Sequence, residues 1–335
     1  MFYKIILSDR FQTASIIFLY ALCIWMPAFL SPEIIYTGDE NYMPFYRLTN
    51  RLFEGHILLS KLVSFGLMFF EAILLVRINI KFVLMQHKTF MPALFFVVLA
   101  GFNPILMQWN PVLPAALFVI LVLDIIFRSC HNDPDSYSYF NAGILLGLGS
   151  LFYAPLIYLA GFIWLAIMVQ RPFYWREYLF PILGILIPYI FVFAYLFIAD
   201  QDITDFLLVL KSNFIIHPGF PKSHWIYWVF AGYLALLLAI ANVFILRVFQ
   251  FRKNYIRDYF LILFWLFIIS SLLYIFISGY DIGITYLIAI PISFMFANYF
   301  INARKNTGNK MLLYMLLCYV LFMAFYKILG GVKFF

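Results

Sequence analysis

The sequence predicts an all-α protein, a polytopic transmembrane helical bundle of about eleven helices, and three observations carry that reading. Two thirds of the 335 residues are apolar and 22% are aromatic, with only 11% charged. Mean hydropathy is +0.97, well beyond the composition of a water-soluble domain. Apolar runs long enough to cross a hydrocarbon layer of ~30 Å, which takes roughly 20 helical residues, recur from near the start of the chain to near its end. Helices are the form expected of them, because backbone groups in lipid must be satisfied within the segment and the runs lack the alternation of barrel strands.

Taken in order, the expected helices cover 14–30, 58–76, 90–107, 111–127, 139–152, 154–169, 179–199, 225–246, 258–278, 283–301 and 311–329. The first run is long and has no small-residue cleavage site after it, so it reads as a retained helix that serves as its own insertion signal. Residues 139–169 form a nearly unbroken apolar stretch, which is divided at Tyr153-Ala-Pro155 because proline disfavours a continuous helix and because Arg128 and Arg171 belong on one side. Basic residues favour the cytoplasmic side. With the N-terminus inside, 15 of the 22 basic residues fall in cytoplasmic connections, including Arg77, Lys81, Arg128, Arg171, the cluster from Arg247 to Arg257, and Arg304 to Lys310.

The formal charge of +7 is therefore mostly a topology signal, with no basic block that would suggest a nucleic-acid partner. Cys23, Cys130 and Cys318 have no CxxC spacing, which supports neither a disulfide framework nor a thiolate metal site. The chain reads as a single integral membrane domain over 1–335, with membrane lipids as its surroundings.

Polar residues concentrate in two outer loops. Residues 31–57 carry Asp39, Glu40, Arg47 and Arg51; residues 200–224 carry Asp200, Asp202, Asp205, Lys211, His217, Lys222 and His224. From residue chemistry alone, Asp39 and Glu40 read either as solvated loop acids that cap the next helix, or as a catalytic pair. In the second case one carboxylate deprotonates an acceptor hydroxyl while its neighbour holds the acceptor or a divalent cation. Glu71 lies well inside the second apolar run, where an ionisable group is a functional suspect or is paired within the bundle. Asp124 is spaced to pair with Arg128 at i+4. "RPFYWRE", residues 171–177, has the aromatic and basic mix of an interface anchor, and Gly143, Gly147 and Gly149 form a small-residue packing surface.

The stretch "GDENYMPFYRLTNRLFEGHI", directly after the first helix, resembles the first outer loop of GT-C glycosyltransferases, in which an Asp-Glu pair precedes a juxtamembrane helix ending near a glycine, here Gly55. "FNPILMQWNPVLPAALFVILVLDIIFR" and "NAGILLGLGSLFYAPLIYLAGFIWLAIM" resemble later segments of that superfamily in the same chain order. The likeness covers roughly residues 1–200 as a core; 201–335 would add the second outer loop and four further helices. The run "FNAGILLGLGSLFYAPLIY" followed by "RPFYWREYLFPILGILIPYIF" resembles an uncharacterised inner-membrane family of Bacteroidota, which implies a bacterial inner membrane. The GT-C resemblance implies a lipid-linked sugar donor on a polyprenyl phosphate and transfer at the periplasmic face. It implies Asp39 as general base, and Glu40 as the group that orients the acceptor or a metal. Arg47, Lys211 and Lys222, with His217 and His224, would then stabilise the leaving lipid phosphate. Loop one is short and the C-terminal soluble domain of many members is absent, so a minimal membrane core is expected. The reading from another class is a non-enzymatic envelope-assembly or transport subunit with an envelope protein as partner, for which the acid pair would be dispensable.

Overall fold

The computed structural model of the chain describes residues 11–30, 42–53, 55–85, 88–103, 106–131, 136–170, 174–214, 225–248, 254–277, 282–303 and 307–326. In chain order these form α1 (Phe11–Leu30), α2 (Pro44–Phe53), α3 (Ile57–Phe82), α4 (Met91–Ala100), α5 (Val112–His131) and α6 (Ser136–Ser150). A 3₁₀ turn over Ala154–Leu159 leads into α7 (Ala160–Gln170), followed by α8 (Trp175–Ile198), α9 (Ile203–Phe214), α10 (Trp225–Val248) and α11 (Asn254–Ile277). A second 3₁₀ turn over Ile282–Ile284 leads into α12 (Thr285–Asn302), and α13 (Thr307–Tyr326) closes the series. Among the described residues there is no strand.

Each of the eleven expected segments coincides with a helix. Eight helices (α1, α3, α5, α8, α10, α11, α12 and α13) are long and apolar enough to cross a membrane, which makes the chain a multi-pass membrane protein. The other three are shorter. The division near Pro155 is present as the 3₁₀ turn, with proline at its start and Gly149 accepting from the Phe152 and Tyr153 amides. α6 and the Ala154–Gln170 segment on either side of it have 15 and 17 residues.

The segment expected as a helix over 90–107 is helical only to Ala100. Ten helical residues rise about 15 Å, half the hydrocarbon thickness. Pro104 explains the stop: it has no amide to donate and it pushes Asn103 out of the helical region. The described residues from Gly101 to Asn103 and from Leu106 to Pro111 lie outside regular α-helix. Such backbone is tolerated at membrane depth only when protein covers it and supplies its partners. Both conditions hold. All ten residues of α4 are buried, as are Leu106 to Asn110. The Tyr286 hydroxyl of α12 donates to the Leu106 carbonyl (2.8 Å), and the Tyr46 hydroxyl of α2 donates to the Trp109 carbonyl (3.2 Å). The Asn110 side chain accepts from the Leu113 amide (2.8 Å), capping α5 just ahead of its first turn.

Small residues let α6 and α8 meet backbone to backbone. A Cβ added at Gly143 would fall on the Pro181 carbonyl oxygen, one at Gly184 on the Phe140 carbonyl, and one at Gly147 would lie 2.9 Å from the Ile185 carbonyl. This is the close approach that small residues permit in lipid. Toward one end of this pair Ser150 and Tyr189 share a buried hydrogen bond of 2.9 Å. At the end of the bundle where α3 and α5 terminate, Asp124 pairs with Arg128 at i+4 (2.8 Å), as the spacing suggests, and also with Lys81 of α3 (2.7 Å).

Two stability measurements follow from this packing. Gly143→Ala lowers stability by about 1–3 kcal/mol, because the new methyl must push two backbones apart, while Gly66→Ala, which meets nothing within 4 Å, leaves the melting temperature unchanged or raises it. Equal melting of the two variants contradicts the packing account. At the C-terminus of α3, Val83 sits at φ 49, ψ 44, a left-handed conformation that its branched side chain disfavours. Val83 is 56% exposed, so Val83→Gly removes strain with little lost burial and stabilises by about 1 kcal/mol in thermal unfolding; a destabilised variant contradicts this.

Candidate functional site

Two amphipathic helices, α2 and α9, come from the two polar loops and pack at the same end of the bundle, opposite Lys81 and Arg128. α2 carries Tyr46 on its buried side and Arg47 and Arg51 on its exposed side. Its position is fixed by the break between α4 and α5. Besides its hydrogen bond to the Trp109 carbonyl, the Tyr46 ring stacks on the Trp109 indole at 6.4 Å and 8°, and Phe53 packs on the same indole at 5.0 Å. The Phe45 amide donates to the Leu151 carbonyl just beyond α6 (3.2 Å), and the Phe45 ring packs edge-on to Phe152.

α9 is placed by a tight turn that ends α8. Asp200 takes a left-handed conformation (φ 48), the Gln201 amide donates to the Leu196 carbonyl (3.0 Å), and the Asp200 amide donates to the Phe197 carbonyl (3.4 Å). These two bonds are the paired bonds of a Schellman C-terminus. The chain then reverses into α9, where Phe206 buries against Tyr189 and Phe193 of α8. Asp202, just before α9, accepts from the Thr204 hydroxyl at 2.7 Å.

Between α2, α6, α8 and α9 lies a cavity of ≈ 1350 Å³. Its apolar wall includes Leu148, Phe191, Val192 and Leu196, and its charged groups are Arg47 and Arg51 from α2 and Asp202 and Asp205 from the start of α9. Among the described residues the ion pairs are those of Asp124 with Lys81 and Arg128, so none of these four charges is neutralised by a close ion pair there. The space is larger than a typical small-molecule pocket. An apolar wall beside cations and carboxylates suits an amphiphile with an anionic, hydroxyl-bearing head.

The sequence-predicted residues divide into three groups. Arg47 lines the cavity. Lys211 is exposed on α9, beside the lining face that carries Asp205, Leu208, Val209 and Ser212. Asp39, Glu40, His217, Lys222 and His224 lie outside the described residues; Tyr42, three positions after Asp39, is part of the lining. Sequence reasoning placed Arg51, Asp202 and Asp205 in the polar loops without giving them a role. Arg51 follows Arg47 by four residues and so shares its helix face, and Asp202 and Asp205 stand at the start of an amphipathic segment; both signals were available in the spacing. Among the described residues no group of three or more His, Cys, Asp or Glu side chains is placed to hold a metal ion.

No curated protein and no solved structure matches this chain. Residues 49–330 match the model of a family of unknown function, DUF6427, and the chain belongs to that family.

Proposed function

We propose that this protein is a membrane glycosyltransferase of the GT-C type that takes a sugar from a polyprenyl-phosphate carrier in the cavity between α2 and α9. The observation that carries the reading is the cavity itself: an apolar wall built by α6 and α8, with two arginines one helical turn apart at its charged side. A lipid phosphate needs this combination, since the isoprenoid chain occupies apolar volume while guanidinium groups donate charge-assisted hydrogen bonds to phosphate oxygens. Tyr42, in the lining, follows Asp39 by three positions and Glu40 by two in the sequence, which supports the same reading.

In this mechanism the acceptor hydroxyl attacks the anomeric carbon with inversion, and Asp39 takes the hydroxyl proton as general base. Glu40 orients the acceptor or a divalent cation. The bond from the anomeric carbon to the phosphate oxygen breaks, and the electron pair leaves on the lipid phosphate, where Arg47, with Lys211 and Lys222 as further cations and His217 and His224 nearby in the chain, offsets the developing charge. Arg51 joins this set by its place in the lining. The reaction belongs at the periplasmic face of a bacterial inner membrane, with the N-terminus in the cytoplasm.

The test is transfer of a labelled sugar from polyprenyl phosphate by the purified protein in bilayers. Asp39→Asn lowers the rate on the order of 10²–10⁴-fold at unchanged donor affinity. Arg47→Ala combined with Arg51→Ala weakens donor binding by about tenfold or more, from the loss of charge-assisted hydrogen bonds. If the purified protein transfers no sugar and the Asp39→Asn, Glu40→Gln double variant fully complements loss of the protein in cells, the enzyme reading is wrong and an envelope-assembly subunit takes its place.

A further inference from the structure

A second group with chemistry lies in the bundle, away from the cavity. The inward face of α3 carries Lys61, Ser64, Glu71 and Asn79, all buried. Three of them have evident partners: the Lys61 ammonium donates to the Ala28 carbonyl (2.7 Å), the Ser64 hydroxyl to the Ser60 carbonyl (2.8 Å), and the Asn79 amide to the Thr89 carbonyl (3.3 Å). Glu71 differs. It is fully enclosed at 0% exposure, and among the described residues neither of its carboxyl oxygens has a hydrogen-bond partner.

The polar groups nearest in the packing are already committed. The Tyr286 hydroxyl of α12 donates its hydrogen to the Leu106 carbonyl in the break between α4 and α5. The Leu117 backbone amide of α5 is a near-neighbour donor to the carboxyl, but it falls short of hydrogen-bond geometry and serves that helix's own ladder. Among the described residues no cation forms an ion pair with it either. α4 has no titratable residue. On α5, Asp124 and Arg128 are engaged with each other and Lys81 at the far end, with Cys130 beyond them. On α1, Tyr20 donates to the Leu317 carbonyl of α13 and Cys23 is exposed. The arginines of α2 belong to the cavity. An ionised carboxylate accepts hydrogen bonds only, and a buried one without donors or a counter-charge is strongly disfavoured.

We propose that Glu71 is a proton-binding site in the interior of the membrane domain, held as the neutral carboxylic acid. The neutral acid needs no counter-charge, whereas loss of its proton would leave a buried carboxylate with no hydrogen-bond partner in place among the described residues. This inference is independent of the glycosyltransferase reading.

The test is infrared spectroscopy of the protein in bilayers near neutral pH, taken as wild type minus Glu71→Gln. The difference contains a protonated-carboxyl stretch, and the glutamine variant, a neutral acid mimic, melts close to wild type. A pair of ionised-carboxylate bands overturns the proposal. Should the variant fail to fold, Glu71→Asp replaces it in the difference spectrum: a shifted protonated-carboxyl stretch supports a proton site, and ionised-carboxylate bands in its place overturn it.

Discussion

The architecture depends on how a multi-pass chain accommodates unpaired backbone within its bundle. α4 stops half-way, and the residues that follow expose carbonyls where no water is available. Tyr46 and Tyr286 each answer one of those carbonyls from a different helix. A buried carbonyl stripped of its partner costs about 1–3 kcal/mol, so these two hydroxyls do more than decorate the core. Tyr46 belongs to α2, which bears the arginines of the cavity, and Tyr286 is close enough to Glu71 to feel its charge. The break therefore ties the candidate site and the buried acid to one structural feature.

The second constraint is the contact between α6 and α8. Because Gly143, Gly147 and Gly184 bring the two backbones together, their adjoining ends form a continuous apolar surface. Leu148 and Leu151 come from the α6 side; Ile187, Phe191 and Leu196 come from α8. The two amphipathic helices then enclose this surface from either side, each held by aromatic contacts. A rigid apolar wall with mobile-length charged side chains at its margin is the arrangement expected where a lipid-borne head group must be held without burying its charge. The cations and carboxylates line the same space from different helices, so a ligand held there would meet both charges beside the apolar wall.

Much of this was legible in the sequence. Long apolar runs, Pro155, the Asp124–Arg128 spacing and the glycines of residues 143–149 each led to a feature that the structure contains. The early end of α4 was less legible, because residues 90–107 read as one apolar run and Asn103-Pro104 is a weak signal for the stop. The polar loops were recognised as the places for chemistry, and the juxtamembrane helix expected between the Asp39-Glu40 pair and Gly55 is α2, whose spacing aligns Arg47 with Arg51; reading residues 200–224 as a loop hid the helix over 203–214, which sets Asp205 beside the lining leucine and valine. That Tyr46 meets Trp109, 63 residues away, depends on tertiary packing and has no local signal.

The most direct measurement of the central claim is photo-crosslinking of a polyprenyl phosphate bearing a photoreactive group on its first isoprene units, with the protein in bilayers and the adducts mapped by mass spectrometry. The account predicts adducts concentrated on the cavity faces of α2, α8 and α9, competed by unlabelled polyprenyl phosphate. Adducts spread over the lipid-facing sides of α10 and α13, with none in the cavity, would contradict it.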